Sequence, residues 1–129
     1  MITFILILLI VLGWDIAWYF AGVKPLFPWQ LRKMLHERQN PGQLIDVRTS
    51  FEFNWFHIDC AVNRPDILFS TDRLKDKNYD EPAIVICMTG HRSPIVAYQL
   101  KKSGFKHVYN LTWGMLAWKL FDWRMISDK

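Results

Sequence analysis

The chain has 129 residues, room for one ordinary domain and a short appendage rather than two domains. Its net charge is +4 and its pI about 9.2, yet the basic residues are scattered and form no stripe interleaved with aromatics, which argues against a nucleic-acid surface. The two cysteines, Cys60 and Cys87, are too few for a disulfide scaffold and fit no zinc spacing, so neither metal nor other cofactor is expected and a reducing compartment suits a free thiol.

Residues 1–23 carry a single charged side chain, Asp15, and residues 24–129 carry the rest. A helix of about 22 residues rises roughly 33 Å, enough to cross a hydrocarbon core of about 30 Å. Residues 1–12 alone do not reach, so the span includes Asp15 or the segment lies partly in the interface. No basic n-region and no small-x-small site precede Lys24, which favours a retained anchor over a cleaved signal peptide. Lys24, Arg32, Lys33 and Arg38 all follow the segment, and the positive-inside tendency then places that side in the cytoplasm. Trp14, Trp18, Tyr19 and Trp29 fit an aromatic belt at the same boundary. The expected organisation is a transmembrane helix over 1–23, a linker over 24–28, a soluble domain over 29–121 and a tail over 122–129.

Within the domain, Trp29–Arg38 reads as a short amphipathic helix with Leu31, Met34 and Leu35 on one face, closed by Asn40-Pro41-Gly42. Gln43–Val47 reads as a buried strand. Thr49 and Glu52 form a capping box for a short helix carrying Phe51, Phe53 and Trp55. A brief strand is expected at Ala61–Asn63, and a short helix with loops over 66–82. Ala83–Ile86 is a continuous apolar run, the mark of a central parallel strand. Ser93 as cap and Pro94 at the first helical position start a helix that ends at Gly104. His107–Asn110 gives a strand, and Gly114–Phe121 a last helix with Met115, Trp118 and Phe121 on one face. Strands alternating with helices predict an α/β fold with a mostly parallel sheet.

The segment Cys87-Met88-Thr89-Gly90-His91-Arg92 joins the central strand to the Ser93 helix. The C-terminal end of a parallel strand is where α/β folds bind ligands. Free N–H groups of the loop and helix start form an anion cradle there. Arg92 adds a fixed positive charge, and Gly90 permits a turn that a side chain would hinder. A lone cysteine reads as a small buried residue; one set among these features reads as a nucleophile, stabilised as thiolate or persulfide.

The stretch IVICMTGHRSPIVAYQLKKSGFKHVYNLTWGMLAW resembles the rhodanese active loop with the helix, strand and Gly-rich turn that come after it in that family. Upstream, LIDVRTSFEFNWFHIDCAVNRP resembles the Asp-Val-Arg start and the Glu-Phe, His-Ile and Ala-x-Asn-x-Pro segments of the same family. The resemblance covers about residues 29–119. It implies a rhodanese fold, a three-layer arrangement with a central parallel sheet flanked by helices. It implies that Cys87 carries a sulfane sulfur as a persulfide, from thiosulfate or another persulfide to a thiol or cyanide-like acceptor. Met88, Thr89, Gly90, His91 and Arg92 would hold that persulfide through backbone N–H groups, with Asp46, Arg48 and Ser93 supporting the loop. The implied activity is that of a membrane-tethered sulfurtransferase. The alternative is a persulfide carrier or docking module that serves a membrane or sulfur-relay partner and turns over poorly alone.

Four residues separate Cys87 from Arg92, one fewer than in related phosphatases, so the cradle suits a sulfur atom better than a phosphate. The chain departs from the family pattern at Phe56 and Trp113, where glycines are usual, at Asp59-Cys60 in place of Pro-Gly, and at Arg64. These departures suggest reshaped loops, with Phe56 and Trp113 expected to narrow the mouth or meet the bilayer. Cys60 reads as a small residue at a glycine position rather than a relay thiol. His91 reads as a loop residue first and a general base second.

Overall fold

The computed structural model describes residues 1–38, 42–68 and 79–121. The expected turn at 40–41, most of the 66–82 segment and the 122–129 tail lie outside them. Among the described residues eleven elements succeed one another in chain order: α1 (Ile2–Phe20), β1 (Lys24–Leu26), α2 (Pro28–Arg38), β2 (Gln43–Asp46), α3 (Ser50–Trp55), β3 (Val62–Asn63), a 3-10 turn (Pro65–Leu68), β4 (Ala83–Ile86), α4 (Ser93–Ser103), β5 (Val108–Leu111) and α5 (Gly114–Phe121). The five strands form one parallel sheet in the order β1-β5-β4-β2-β3.

Strand β4 shows why both faces are covered. Successive residues of a strand point to opposite faces. Ala83, Val85 and Cys87 join a core with Val96, Ala97 and Leu100 of α4. Ile84 and Ile86 join a second core with Leu31 of α2 and Met115 and Trp118 of α5. A strand buried on both sides must be apolar throughout, as Ala83–Ile86 is.

Two local expectations changed. Residues 24–28, expected as a linker, hold β1, which pairs with β5 from Lys24 opposite Tyr109 to Leu26 opposite Leu111. Pro25 is tolerated because β1 is an edge strand and no ladder bond is needed on its open side. Ser93 is not the cap of α4: Arg92 occupies that position with no side-chain cap bond, and Ser93 is buried at the first turn. At the other end Gly104 closes α4 with φ 129°, as expected.

The second half of α1 belongs to the domain. Trp18 packs on Tyr98 of α4 at 5.7 Å between ring centres, and Trp14 lies edge-on to Trp18. Residues 1–10 are all exposed. The helix carries no charged side chain before Asp15 and is long and apolar enough to be a candidate membrane span.

Candidate active site

The loop Cys87–Arg92 leaves the C-terminal end of β4, the central strand, as the sequence predicts. Cys87 is 4% exposed, and the Gly90 N–H donates to its Sγ at 3.0 Å. Gly90 has φ 83°. A Cβ there would stand 2.6 Å from the Trp113 backbone nitrogen and 3.0 Å from the Gly114 nitrogen and the Leu111 carbonyl oxygen. Only glycine fits, because every obstacle is backbone.

The opposite edge of the loop is held by α5. Its Met115 and Leu116 N–H groups donate to the carbonyls of Cys87 and Met88, both at 2.9 Å. These are donors that a helix start leaves free. Gly114, at φ 64°, lets the backbones meet, since a Cβ would lie 2.4 Å from the Cys87 carbonyl oxygen. With its carbonyls engaged by α5, the loop can offer N–H groups to the sulfur.

Asn110 is the supporting residue that sequence reasoning missed. It is buried at the end of β5, and its Nδ2 donates to the Gly90 carbonyl at 3.0 Å. Its Oδ1 accepts from the buried Ser93 hydroxyl. Ser93 is thus linked to the loop through the Asn110 side chain rather than acting as a helix cap. The signal available in the sequence was one amide in the otherwise apolar end of a strand.

Asp46 and Arg48 form a buried ion pair. Arg48 Nη2 lies 2.8 Å from Asp46 Oδ2, and Nε donates to both carboxylate oxygens. Nη2 also donates to the Phe56 carbonyl at 2.7 Å. The Asn63 amide ties the carbonyls of Asp46 and Arg48 together. Arg48 Nη1 is buried without a partner among the described residues. The Thr49–Glu52 capping box is present with both reciprocal bonds.

These pieces frame a cavity of about 370 Å³ lined by Cys87, Met88, Thr89, Arg92, Arg48, Thr49, Glu52, Val47 and Pro65. Arg92 and the Asp46-paired Arg48 thus stand beside one thiol, with the Glu52 carboxylate on the same lining. His91 does not line the cavity. Its Nδ1 meets Thr89 Oγ1 at 3.2 Å, and its carbonyl accepts from the Trp14 indole at 3.2 Å. Phe56, expected near the mouth, is instead buried, its ring packed against Arg48 and Lys119. Trp113 does not line the cavity either. It sits at φ 62°, against Phe27 and a groove beside α1. Cys60 is exposed and away from the cavity lining, and partial burial pushes its thiol up from the usual range.

The model of the rhodanese-like domain family matches residues 28–120. The chain belongs to this family. It is 37% identical over 99 residues to the probable adenylyltransferase/sulfurtransferase MoeZ of Mycobacterium tuberculosis, matching 76% of this chain and 25% of that protein. It is 34% identical over 80 residues to the thiosulfate sulfurtransferase GlpE of Shewanella oneidensis, matching 59% of this chain and 74% of that one. The crystal structure of a rhodanese-like domain protein from Staphylococcus aureus superposes with a TM-score of 0.66 and 32% identity, covering 74% of this chain and 91% of the other. The chain thus spans only about a quarter of the mycobacterial relative's length.

Proposed function

We propose that the chain is a membrane-tethered sulfurtransferase in which Cys87 carries the sulfur. The Cys87 thiolate attacks the sulfane sulfur of thiosulfate or a persulfide. A new S–S bond forms at Cys87 Sγ, the donor's own S–S bond breaks, and its electron pair leaves on sulfite or on a thiolate. A thiol or cyanide-like acceptor then attacks the outer sulfur of the persulfide, and Cys87 departs as thiolate. Backbone N–H groups of Met88–Arg92 hold the outer sulfur, as the Gly90 N–H holds Sγ. Arg92 draws an anionic donor toward the cavity, and Arg48, paired with Asp46, supports the loop. Asp46, Ser93 and Asn110 keep the loop in shape.

The observation that carries this reading is the short contact from Gly90 N–H to Cys87 Sγ, inside a loop with four residues between Cys87 and Arg92. The apolar α1 supports the tether, and Lys24, Arg32, Lys33 and Arg38 after it support a cytoplasmic domain. The test is steady-state thiocyanate production by the full chain in detergent, with thiosulfate and then glutathione persulfide as donor. Repeated turnover is expected with at least one donor. Loading without turnover would assign the chain as a carrier for a protein acceptor. A reporter fused after Lys129 is expected in the cytoplasm, and an extracytoplasmic reporter would reverse the orientation.

A further inference from the structure

The contacts of α1 also fix its direction relative to the catalytic loop. Trp14 donates to the His91 carbonyl, Trp18 packs on Tyr98, and the Lys101 side chain lies over Gly22. Positions 14, 18 and 22 on one side meet 91, 98 and 101 on the other, in the same order. Helix α1 therefore runs parallel to α4. Since α4 starts at the active loop, the free part of α1 before Trp14 projects past the catalytic end of the sheet.

That free part is short. Residues 1–13 rise roughly 20 Å as a helix, against about 30 Å of hydrocarbon. It is largely exposed and, Thr3 apart, apolar, so it does not stay in water. With Trp14 and Trp18 held on the domain, this part enters the bilayer from the catalytic end of the sheet, and the bilayer surface meets the domain there. This is the end that carries Cys87.

Exposed aromatic residues gather at that end. Phe27 and Trp29 follow β1, Phe51 follows β2 and Trp113 follows β5, all at the catalytic end. Trp29, Phe51 and Trp113 are 50%, 80% and 44% exposed. Phe27 stacks on Trp29 at 4.8 Å and meets Trp113 edge-on at 5.7 Å. Trp113 is the one non-glycine residue at positive φ among the described residues, a conformation that is uncommon for a bulky side chain. A mainly apolar groove of about 290 Å³, lined by Leu12, Ile16, Phe27 and Trp113 and also by Asp15, runs beside them. The other end of the sheet, where the strands begin, presents Lys24, Asp80 and Lys106. Exposed aromatics on a rim that also carries the exposed Arg92 fit a body seated in a membrane–water interface.

We infer that the catalytic end of the domain lies against the phospholipid bilayer at headgroup level, with Phe27, Trp29 and Trp113 as its interfacial rim. This inference rests on the membrane reading of α1. Reactants held at the bilayer surface are then favoured at Cys87.

The experiment uses the full chain with Cys60→Ser and Cys87→Ser, and one cysteine placed by Trp29→Cys, Trp113→Cys or Lys106→Cys. Each is spin-labelled and reconstituted in phosphatidylcholine vesicles containing phosphatidylglycerol. Collisions with oxygen, which concentrates in the bilayer, are compared with collisions with a water-soluble nickel chelate. Oxygen is expected to dominate at 29 and 113, and nickel at 106. Nickel dominance at all three sites on vesicle-bound protein would overturn the inference. Weak collisions with both reagents at 29 and 113, the sign of protein contact, would assign the face to a protein partner and overturn it too. Protein that fails to sediment with the vesicles would sink the membrane reading itself. Sulfur loading of the unmutated chain, measured in parallel, reports separately on the proposed activity.

Discussion

The Asn110 bridge makes a quantitative test of how the loop is held. Asn110→Ala removes the donor to the Gly90 carbonyl and the acceptor for the Ser93 hydroxyl, both in the buried interior. A buried polar group left unpaired costs about 1–3 kcal/mol, so the variant is expected to lose about 2–4 kcal/mol. Ser93→Ala orphans only the Asn110 oxygen and should cost about 1–2 kcal/mol. In the double variant neither Ser93 nor Asn110 remains to be orphaned. Its loss is therefore expected to fall about 2–4 kcal/mol short of the sum of the singles. Urea unfolding of the full chain in detergent, monitored by tryptophan fluorescence, gives the three free energies. Because Asn110 holds Gly90, whose N–H meets Cys87 Sγ, the Asn110 variant should also load sulfur about 10–100-fold more slowly. Strict additivity, or an Asn110→Ala variant that loads at the normal rate, would refute the bridge.

Other substitutions probe the neighbouring parts. Gly90→Ala puts a methyl group into three backbone atoms at a positive φ; a loss of about 2–4 kcal/mol in unfolding and of sulfur loading is expected, and unchanged values would contradict the packing. Asp46→Ala leaves Arg48 as an unpaired buried cation and should destabilise the domain by about 3–5 kcal/mol, whereas Asp46→Ala unfolding like the parent would show the pair to be dispensable. The Cys60 thiol is pushed up, so less of it is thiolate at any pH below its titration; alkylation at pH 8 should lag behind that of free cysteine, and Cys60→Ser should load sulfur normally. Alkylation of Cys60 as fast as free cysteine, or loss of loading in Cys60→Ser, would revive it as a relay thiol.

The features legible without coordinates were mainly local. The apolar run Ala83–Ile86, the Thr49–Glu52 capping box and the Gly104 helix stop depend on residues a few positions apart, and all three stand as read. The Cys87–Arg92 loop was legible for the same reason, since strand, loop and helix are contiguous. Features that stayed hidden depend on contacts across the chain. Strand β1 exists because β5, some 85 residues later, pairs with it, and three residues containing Pro25 give no pattern alone. Ser93 looks like a helix cap until Asn110 is brought beside it. Phe56 at a glycine position suggested the mouth, but its ring turns inward onto Arg48. Most consequential is α1: its composition suggests an independent span, while Trp14 and Trp18 bind its second half to the rhodanese-like domain. Activity is therefore best measured on the full chain.

The central claim is that Cys87 accepts the sulfur. The most direct measurement incubates the full chain with thiosulfate or glutathione persulfide and locates added mass by peptide mass spectrometry. The account predicts one added sulfur atom on the Cys87 peptide, none on Cys60, its removal as thiocyanate by cyanide, and no loading in Cys87→Ser. An unmodified Cys87 with both donors, or equal loading of Cys87→Ser, would contradict it.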